Sequence, residues 1–320
     1  MANVEIPVFL DEMLKKQYGE KLSEKIKQGY GVKRAITFRV NTLKSNISAI
    51  ENELIQNKID FEKVIWNEEA FIIRNINKNI IENMNIYKEG KIYLQSLSSM
   101  LPPIILQPKP QIDILDMAAA PGGKTTQIAA LTQNEANITA CEINGIRAEK
   151  LKHNIEMQGA KCIYIMKIDA RKINDFFSFD QILLDAPCSG SGTLSLSNNI
   201  SKIFTTKLIN KTTSLQTDLL KKAIRILKVG GEMVYSTCSI LSCENEDILN
   251  KVLDKSKFEI VPINTVFLKN MPTLPTTING TICVCPDELY EGFFVAKIRK
   301  LSNWHRKNKR TPPLKFESFS

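Results

Sequence analysis

The spacing of apolar side chains predicts a small mixed domain at the start of the chain. Apolar positions recur with a helical period at Leu10, Met13 and Leu14, and again across residues 47–54. Short apolar runs typical of strands occupy residues 35–40, 70–73 and 91–95. Prolines at positions 102, 103, 108 and 110 then interrupt the pattern. We therefore expect an α+β domain over residues 1–105.

Strands and helices alternate through most of the remaining chain. Apolar runs of strand length lie at residues 112–115, 138–141, 162–168, 181–184 and 232–235. Helical patterns separate them, for example at residues 147–157 and 215–227, and late strands are expected at residues 258–263, 281–284 and 293–298. Repeated strand–helix units predict an α/β domain with a mostly parallel, doubly wound sheet. We assign residues 106–300 to it and residues 301–320 to a basic tail.

The composition excludes a secreted or membrane-inserted protein. A hydrophobic fraction of 43% supports a full core, yet no run of 18 apolar residues occurs, and the early acids Glu5, Asp11 and Glu12 are unlike a signal peptide. The seven cysteines, an odd number, all follow residue 140, and several lie inside apolar strands, which predicts reduced thiols in the cytoplasm. Cys283 and Cys285 are expected to be buried small side chains, and we predict no metal site.

Positive charge is concentrated at the end of the chain. Residues 297–320 contain eight basic residues and the single acid Glu317, so they supply +7 of the net charge of +9. A basic segment that also carries Trp304 and His305 suits the phosphates and bases of a nucleic acid, although a solvated terminus is the alternative.

A turn of small residues follows the first strand of the α/β domain. Asp116 ends this strand, and residues 118–124 read Ala-Ala-Ala-Pro-Gly-Gly-Lys before a helical pattern begins. Backbone N–H groups in such a turn approach a ligand closely, and the helix start attracts negative charge. Gly123-Lys124-Thr125 is similar to the end of a P-loop, but Ala118 stands where that motif needs glycine. A P-loop NTPase is therefore the weaker interpretation.

Acidic residues lie at or just beyond the ends of four predicted strands: Asp116, Glu142, Asp169 and Asp185. Each alone is equally consistent with a helix cap. Together they predict an acidic rim that repels a polyphosphate and suits a neutral or cationic adenosine ligand such as S-adenosyl-L-methionine. Glu142 is placed to bind a ribose diol, and Asp169 to accept from an adenine amino group.

Two cysteines also follow predicted strands, in Asp185-Ala186-Pro187-Cys188 and in Thr237-Cys238. Methyl transfer to carbon 5 of a cytosine requires a thiolate that adds to carbon 6, because the ring carbon is a poor nucleophile. Asp185 is placed to bind the base near ring nitrogen 3, and a second thiol is suited to product release. Two unrelated buried cysteines are the alternative.

These segments resemble the RsmB/Nop/Sun family of RNA cytosine-5 methyltransferases. The resemblance rests on residues 39–43, 95–100, 116–124, 185–192, 228–239, 244–246 and 291–296, and so spans nearly the whole chain. It implies a Rossmann-like methyltransferase domain behind an N-terminal domain that engages RNA. It also implies that Cys238 is the nucleophile and that Cys188 assists release, with Asp185 facing the cytosine. The implied cofactor-binding residues are Ala118, Ala119, Ala120, Pro121, Gly122, Gly123, Lys124, Glu142, Arg147, Asp169 and Asp185.

The chain departs from this family at two places, and some alternatives stay open. Ala118 stands where cysteine is usual, and residues 194–199 replace an Arg-x-x-Pro segment. The substrate is expected to be ribosomal RNA, with transfer RNA as the alternative, and the protein is expected to be a monomer. A non-catalytic RNA-binding assembly factor and a reversed assignment of the two thiols are the remaining rivals, the latter because Cys188 follows Pro187.

Overall fold

A computed structural model describes residues 6–194, 204–264, 269 and 271–302 of the chain. Helix α1 (Val8–Tyr30) comes first and changes direction at Gly19, whose φ of 76° lies outside the helical region. A small antiparallel sheet follows, with strand order β2–β3–β1–β4. Its strands are β1 (Ile36–Val40), β2 (Phe61–Val64), β3 (Asn67–Ile73) and β4 (Ile92–Leu94).

Three helices accompany the small sheet: α2 (Ile47–Gln56), α3 (Lys78–Asn83) and α4 (Asn85–Lys88). The Asn46 side chain caps α2 by accepting from the backbone N–H of Ala49. Phe38 and Phe71, from paired strands, stack at 5.3 Å in a buried cluster that also contains Ile50. This part of the chain therefore has an apolar core of its own.

Helix α5 (Leu97–Leu106) runs through Pro102 and Pro103, so the prediction that these prolines interrupt the structure is wrong. Proline lacks the N–H that bonds to the carbonyl four residues earlier, and at Pro103 a side chain supplies that donor instead. Pro103 has no N–H for the Ser99 carbonyl, which accepts instead from the Gln95 side chain at 3.0 Å. Pro108 and Pro110 do lie in the connection that follows α5.

A second, larger sheet confirms the predicted α/β fold. Its strand order is β11–β12–β13–β9–β8–β5–β6–β7, with β10 paired to β13. Five adjacent strands are parallel: β9 (Leu227–Thr237), β8 (Phe179–Asp185), β5 (Asp113–Asp116), β6 (Asn137–Cys141) and β7 (Ile163–Met166). The others are β10 (Phe258–Val261), β11 (Thr273–Leu274), β12 (Ile282–Val284) and β13 (Phe293–Lys300), which pairs antiparallel with β9.

Helices cover both faces of the large sheet. Side chains alternate along β8, so Ile182 and Leu184 enter one apolar cluster and Leu183 enters the other. The first cluster includes side chains of α1, α8 (Thr206–Ile226) and α9 (Glu246–Val252). The second includes side chains of α5, α6 (Gly123–Leu131) and α7 (Gly145–Gln158). The domain division at residue 105 stays a prediction; α1 and α5 both contribute to clusters of the large sheet.

Several expectations about surface and charge can be compared with the described residues. None of their helices is long and apolar enough to cross a bilayer. Cys283 and Cys285 are buried, and no group of metal-ligating side chains occurs in the described segments. Lys297 and Lys300 are buried in β13, where Lys297 pairs with Glu232 at 2.8 Å. Part of the charge counted with the tail therefore belongs to the folded domain, and residues 303–320 lie outside the described residues.

Candidate functional site

The connections after β5, β6, β8 and β9 gather at the carboxyl edge of the large sheet. The chain passes from β5 to β6 and β7 on one side and then returns to β8 on the other. Such a reversal of strand order opens a crevice in which α/β sheets bind their ligands. Asp116 ends β5, Glu142 follows β6, and Asp185 ends β8, so these predicted site residues share one edge.

The two predicted catalytic cysteines lie side by side in this crevice. Cys188 follows β8 and Cys238 follows β9, and their Sγ atoms are 2.9 Å apart. The contact with Cys238, together with burial, raises the pKa of the Cys188 thiol well above its usual value. Cys238 lines a cavity of about 400 Å³, and Cys188 is not among the residues that form its wall. The structure thus brings both thiols together but presents Cys238 to the cavity.

A buried carboxylate that our sequence interpretation gave no role positions the Cys188 loop. Glu244 is fully buried and accepts from the backbone N–H of Ser189 at 2.8 Å. It also accepts from the side chains of Ser189, Thr212 and Gln216. Such a set of donors satisfies a buried carboxylate and fixes the loop next to Cys188. The sequence around Glu244 shows only a glutamate before a helix, and no local pattern predicts partners 28 to 55 positions away.

The turn that carries Cys238 is held by Asn245, the residue that follows Glu244. Its Oδ1 accepts from the Thr237 hydroxyl at 2.6 Å, and its Nδ2 donates to the Ser239 carbonyl at 2.9 Å. The side chain is fully buried. Because one amide bridges the residues on both sides of Cys238, the direction of that thiol is restricted.

Lys124 links the small-residue turn to Asp185. Its Nζ lies 2.7 Å from Asp185 Oδ2 and donates to Ser99 Oγ at 2.8 Å. Burial opposes the charge on Lys124, but the neighbouring Asp185 carboxylate raises the pKa of this amine above its ordinary value. The other Asp185 oxygen accepts from the Ser236 hydroxyl at 2.7 Å. Lys124 is therefore a fixed positive charge beside the cysteine pair.

The 400 Å³ cavity has both polar and apolar lining and extends from the small-residue turn to the start of α5. Its wall includes Asp116, Ala118, Ala119, Ala120, Pro121, Gly123, Lys124, Asp185, Thr193, Cys238, Glu291, Phe293 and residues 93–96 together with Ser99. The Asp116 carboxylate is buried and accepts from Thr125 Oγ1 at 2.7 Å. Burial raises the pKa of Asp116 to about 6.

Glu142, Arg147 and Asp169 line a second, narrower cavity of about 140 Å³. Glu142 accepts from the backbone N–H of Asn144 at 2.9 Å and faces Arg147 at 3.6 Å. Arg147 also donates to the Ala120 carbonyl at 2.6 Å, which ties it to the small-residue turn. Ala118 lines both cavities, so the two spaces meet at this residue.

Asp169 is engaged differently from the expectation. Arg171 donates to its carboxylate from Nε and Nη2 at 2.6 to 3.1 Å. These hydrogen bonds lower the pKa of Asp169. An adenine amino group at this position would share the carboxylate with Arg171. The contact between Asp169 and adenine stays a prediction.

Arg39 in β1, which belongs to the segment 39–43 that resembles the family, supports the small-residue turn from the N-terminal sheet. It is fully buried and donates to the Gly123 carbonyl at 3.1 Å and to Thr126 Oγ1 at 2.9 Å. Its Nε donates to Gln95 Oε1 at 3.0 Å. Burial lowers the pKa of this guanidinium to about 10. An arginine inside an apolar strand was a sequence signal that our interpretation did not use.

Two glycines bring the Cys188 loop against the segment that precedes β13. The Gly292 N–H donates to the Gly192 carbonyl at 2.8 Å. A Cβ atom on Gly192 would lie 2.0 Å from the Gly292 carbonyl oxygen, so only glycine fits there. Of the replaced segment at residues 194–199, the structure describes Leu194, and residues 195–199 lie outside the described residues.

Comparisons with known proteins find relatives that are named as ribosomal RNA methyltransferases and one that is named as a tRNA methyltransferase. The sequence model of the family described as 16S rRNA methyltransferase RsmB/F matches residues 103–299. Ribosomal RNA small subunit methyltransferase F of Shewanella loihica is 34% identical over 83% of this chain and 56% of its own length. The tRNA (cytosine(49)-C(5))-methyltransferase of Pyrococcus abyssi is 34% identical over 82% of this chain and 88% of its own.

Solved structures agree with this similarity. A methyltransferase homologue from Pyrococcus horikoshii has a TM-score of 0.79 and 34% identity, over 92% of this chain and 95% of that one. The chain thus spans little more than half of the bacterial relative named above and nearly all of the two archaeal proteins.

Proposed function

Since the chain belongs to the RsmB/F family of 16S rRNA methyltransferases, as its motifs predicted, we propose that it methylates carbon 5 of a cytosine in RNA. The methyl donor is S-adenosyl-L-methionine. The observation that carries this proposal is the pair of thiols 2.9 Å apart, of which Cys238 faces a cavity that also contains Lys124 and Asp185.

The residues around the two cavities fit the proposed cofactor. The smaller cavity offers the Glu142 carboxylate to the ribose hydroxyls, and the carboxylates of Asp116 and Asp185 suit a sulfonium cation in the larger one. Because Ala118 lines both spaces, a ligand can extend from Glu142 toward Cys238. When bound, the cofactor supplies an electrophilic methyl group.

Cys238 is the proposed nucleophile. Its thiolate adds to carbon 6 of the cytosine, and the bond formed there makes carbon 5 reactive. Addition places negative charge on the pyrimidine ring, and the fixed Lys124 ammonium beside Asp185 stabilises that charge. Asp185 and Lys124 together bind the nitrogen 3 edge of the base.

Cys188 is proposed to assist release. In the release step the proton on carbon 5 leaves to solvent, its bonding pair re-forms the carbon 5–carbon 6 double bond, and the carbon 6–sulfur bond breaks with its electrons on the Cys238 sulfur. The raised pKa of Cys188 keeps it protonated, so its thiol can donate a hydrogen bond to that sulfur as it leaves. Both thiols act only when reduced, and cytoplasmic thiols are kept reduced, so the proposed chemistry supports a cytoplasmic location. We propose that the protein acts as a monomer.

The proposed substrate is ribosomal RNA, because the matched family is described by 16S rRNA and because bacterial relatives carry that name. Transfer RNA is the second candidate. It is favoured by the match to 88% of the length of the P. abyssi tRNA enzyme. The five basic residues beyond residue 302 are proposed to contact RNA phosphates in either case.

The test is transfer of radiolabelled methyl groups from S-adenosyl-L-methionine to purified 16S rRNA and to total tRNA, followed by bisulfite sequencing. We expect 5-methylcytosine in one of the two. Transfer to neither RNA would favour the non-catalytic assembly factor, and hydrolysis of a nucleoside triphosphate would favour the P-loop interpretation. Label on a base other than cytosine would refute the proposed reaction while keeping the family.

A further inference from the structure

Glu291 is a carboxylate on the wall of the Cys238 cavity with no role in the chemistry described so far. Its Oε2 accepts from the Ser96 hydroxyl at 2.7 Å, and its backbone carbonyl accepts from Ser98. Within the described segments Glu291 forms no ion pair and its Oε1 has no hydrogen-bond donor. The nearby cation Lys124 is engaged by Asp185 instead.

A half-buried carboxylate without a counter-cation requires N–H or O–H donors, because an ionised carboxylate only accepts hydrogen bonds. The two oxygens of Asp185 already accept from Lys124 and Ser236. Asp185 thus has a donor at each of its oxygens, whereas only one oxygen of Glu291 has a donor among the described residues. A ligand that fills the cavity is expected to present a donor to Glu291.

The position of Glu291 indicates which ligand that is. Glu291 also lines an open groove of about 450 Å³ that contains Lys33, Arg34 and Lys78. This groove shares with the cavity only Glu291 and residues 94–96, and none of residues 118–124 of the small-residue turn. Glu291 thus lies where the cavity adjoins the basic groove, and the turn that is proposed to bind the cofactor does not line that groove. A base that enters from the groove would meet Glu291.

We propose that Glu291 accepts a hydrogen bond from the exocyclic amino group of the target base and thereby selects cytosine over uracil. The inference rests on the proposed function. Cytosine carries an amino donor at carbon 4, whereas uracil carries a carbonyl oxygen there, which a carboxylate repels. Uracil could otherwise undergo the same thiolate addition at carbon 6.

The experiment measures kcat/KM for methylation of two RNA oligonucleotides that differ only in cytosine or uracil at the target position. In Glu291→Gln the amide can donate to the uracil carbonyl and loses the charge that favours the amino group. We expect the cytosine-to-uracil ratio to fall roughly tenfold or more relative to the unchanged enzyme. Because the ratio is internal to each variant, partial loss of folded protein does not alter it.

Ser96→Ala is the matched control, since it removes the hydrogen bond from the Ser96 hydroxyl to Glu291 and keeps the Glu291 carboxylate. It should leave the ratio unchanged. An equal fall of the ratio in Ser96→Ala would assign Glu291 a merely structural role, and an unchanged ratio in Glu291→Gln would overturn the inference. A higher KM for S-adenosyl-L-methionine with an unchanged ratio would assign the carboxylate to the cofactor. If the unchanged enzyme methylates neither oligonucleotide nor natural RNA, the proposed function itself fails.

Discussion

The Sγ atom of Cys188 lies 2.9 Å from the Sγ atom of Cys238, although 50 positions separate the two residues in the chain. Because Cys238 lines the cavity, we expect Cys238→Ala to abolish both methylation and any covalent RNA adduct. Cys188→Ala should form the adduct and fail to resolve it. A protein–RNA band on a denaturing gel, growing with time in the presence of cofactor, is the measurement.

Cys243→Ala is the control for this pair, since its thiol is half-buried near the site but lines a different cavity. The Cys243→Ala variant should methylate RNA and accumulate no protein–RNA band. If Cys238→Ala accumulates the band and Cys188→Ala does not, the two roles are reversed.

Glu142 is predicted to bind the ribose of the cofactor. Glu142→Ala should weaken binding of S-adenosyl-L-methionine by about 1.5–3 kcal/mol, the size of charge-assisted hydrogen bonds. Titration calorimetry measures the change. Glu149→Ala on α7 is the control, because its carboxylate is exposed and contacts Lys167 instead. Unchanged affinity in Glu142→Ala would refute the ribose assignment.

Asp116 makes stability depend on pH in a defined direction. Burial raises the pKa of its carboxyl from 3.8 to about 6, so the folded state binds this proton more tightly than the unfolded chain. The stabilising contribution is fully present below the unfolded value and is lost as pH rises through the folded one. Asp116→Asn does not titrate. Its free energy of unfolding should therefore rise relative to the unchanged protein by up to about 3 kcal/mol from low pH to neutrality.

Urea denaturation of both proteins at several pH values checks this difference. Groups elsewhere in the chain titrate in both proteins and cancel in the comparison. A difference that is constant, or that decreases as pH rises, would contradict the raised pKa.

Gly192 has no room for a side chain. Gly192→Ala would place a Cβ atom 2.0 Å from the Gly292 carbonyl oxygen, and overpacking of this kind typically costs about 1–3 kcal/mol. Because the loop also carries Cys188, we expect methylation to be lost together with stability. Gly145→Ala at the start of α7 is the control, since no atom lies within 4 Å of its added Cβ. Equal thermal midpoints and activities for the two variants would contradict the predicted clash.

Removal of residues 303–320 should lower RNA affinity and flatten its dependence on salt. The segment carries Arg306, Lys307, Lys309, Arg310 and Lys315, and bound basic residues release counterions from phosphates. The deletion leaves Leu301, whose N–H donates to the Lys257 carbonyl. A full-length variant with the five residues changed to glutamine separates charge from length. An unchanged salt slope in both proteins would show that the segment does not bind RNA.

Local sequence patterns were sufficient for the elements that carry the site. The strands that end at Asp116 and Asp185 are apolar runs, and parallel strands bring their ends to one edge, so the acids and thiols were expected together. Helix α5 was not predicted, because proline usually ends a helix and only contacts such as that from Gln95 to Ser99 permit it here.

The supporting residues depend on distant contacts that no local pattern contains. Glu244 accepts a hydrogen bond from Ser189, 55 positions away, and Arg39 donates one to Gly123, 84 positions away. Their burial follows from the tertiary fold, so a sequence interpretation limited to motifs and periodicity assigned them no role. The ion pair of Lys124 with Asp185 was missed for the same reason.

Helix α1 has a consequence for how the protein is made. Tyr30 donates to the Ser191 carbonyl at 2.6 Å, and Tyr18 donates to the Ile240 carbonyl across 222 positions. A ribosome therefore completes α1 long before its docking surface exists. At typical synthesis rates roughly 10–40 s pass between the completion of α1 and the synthesis of residue 240. During that time Leu10 and Ile26 lack the later part of the apolar cluster that buries them. The loops beside both thiols close late, after translation has delivered most of the chain, and the nascent polypeptide is vulnerable to aggregation until then.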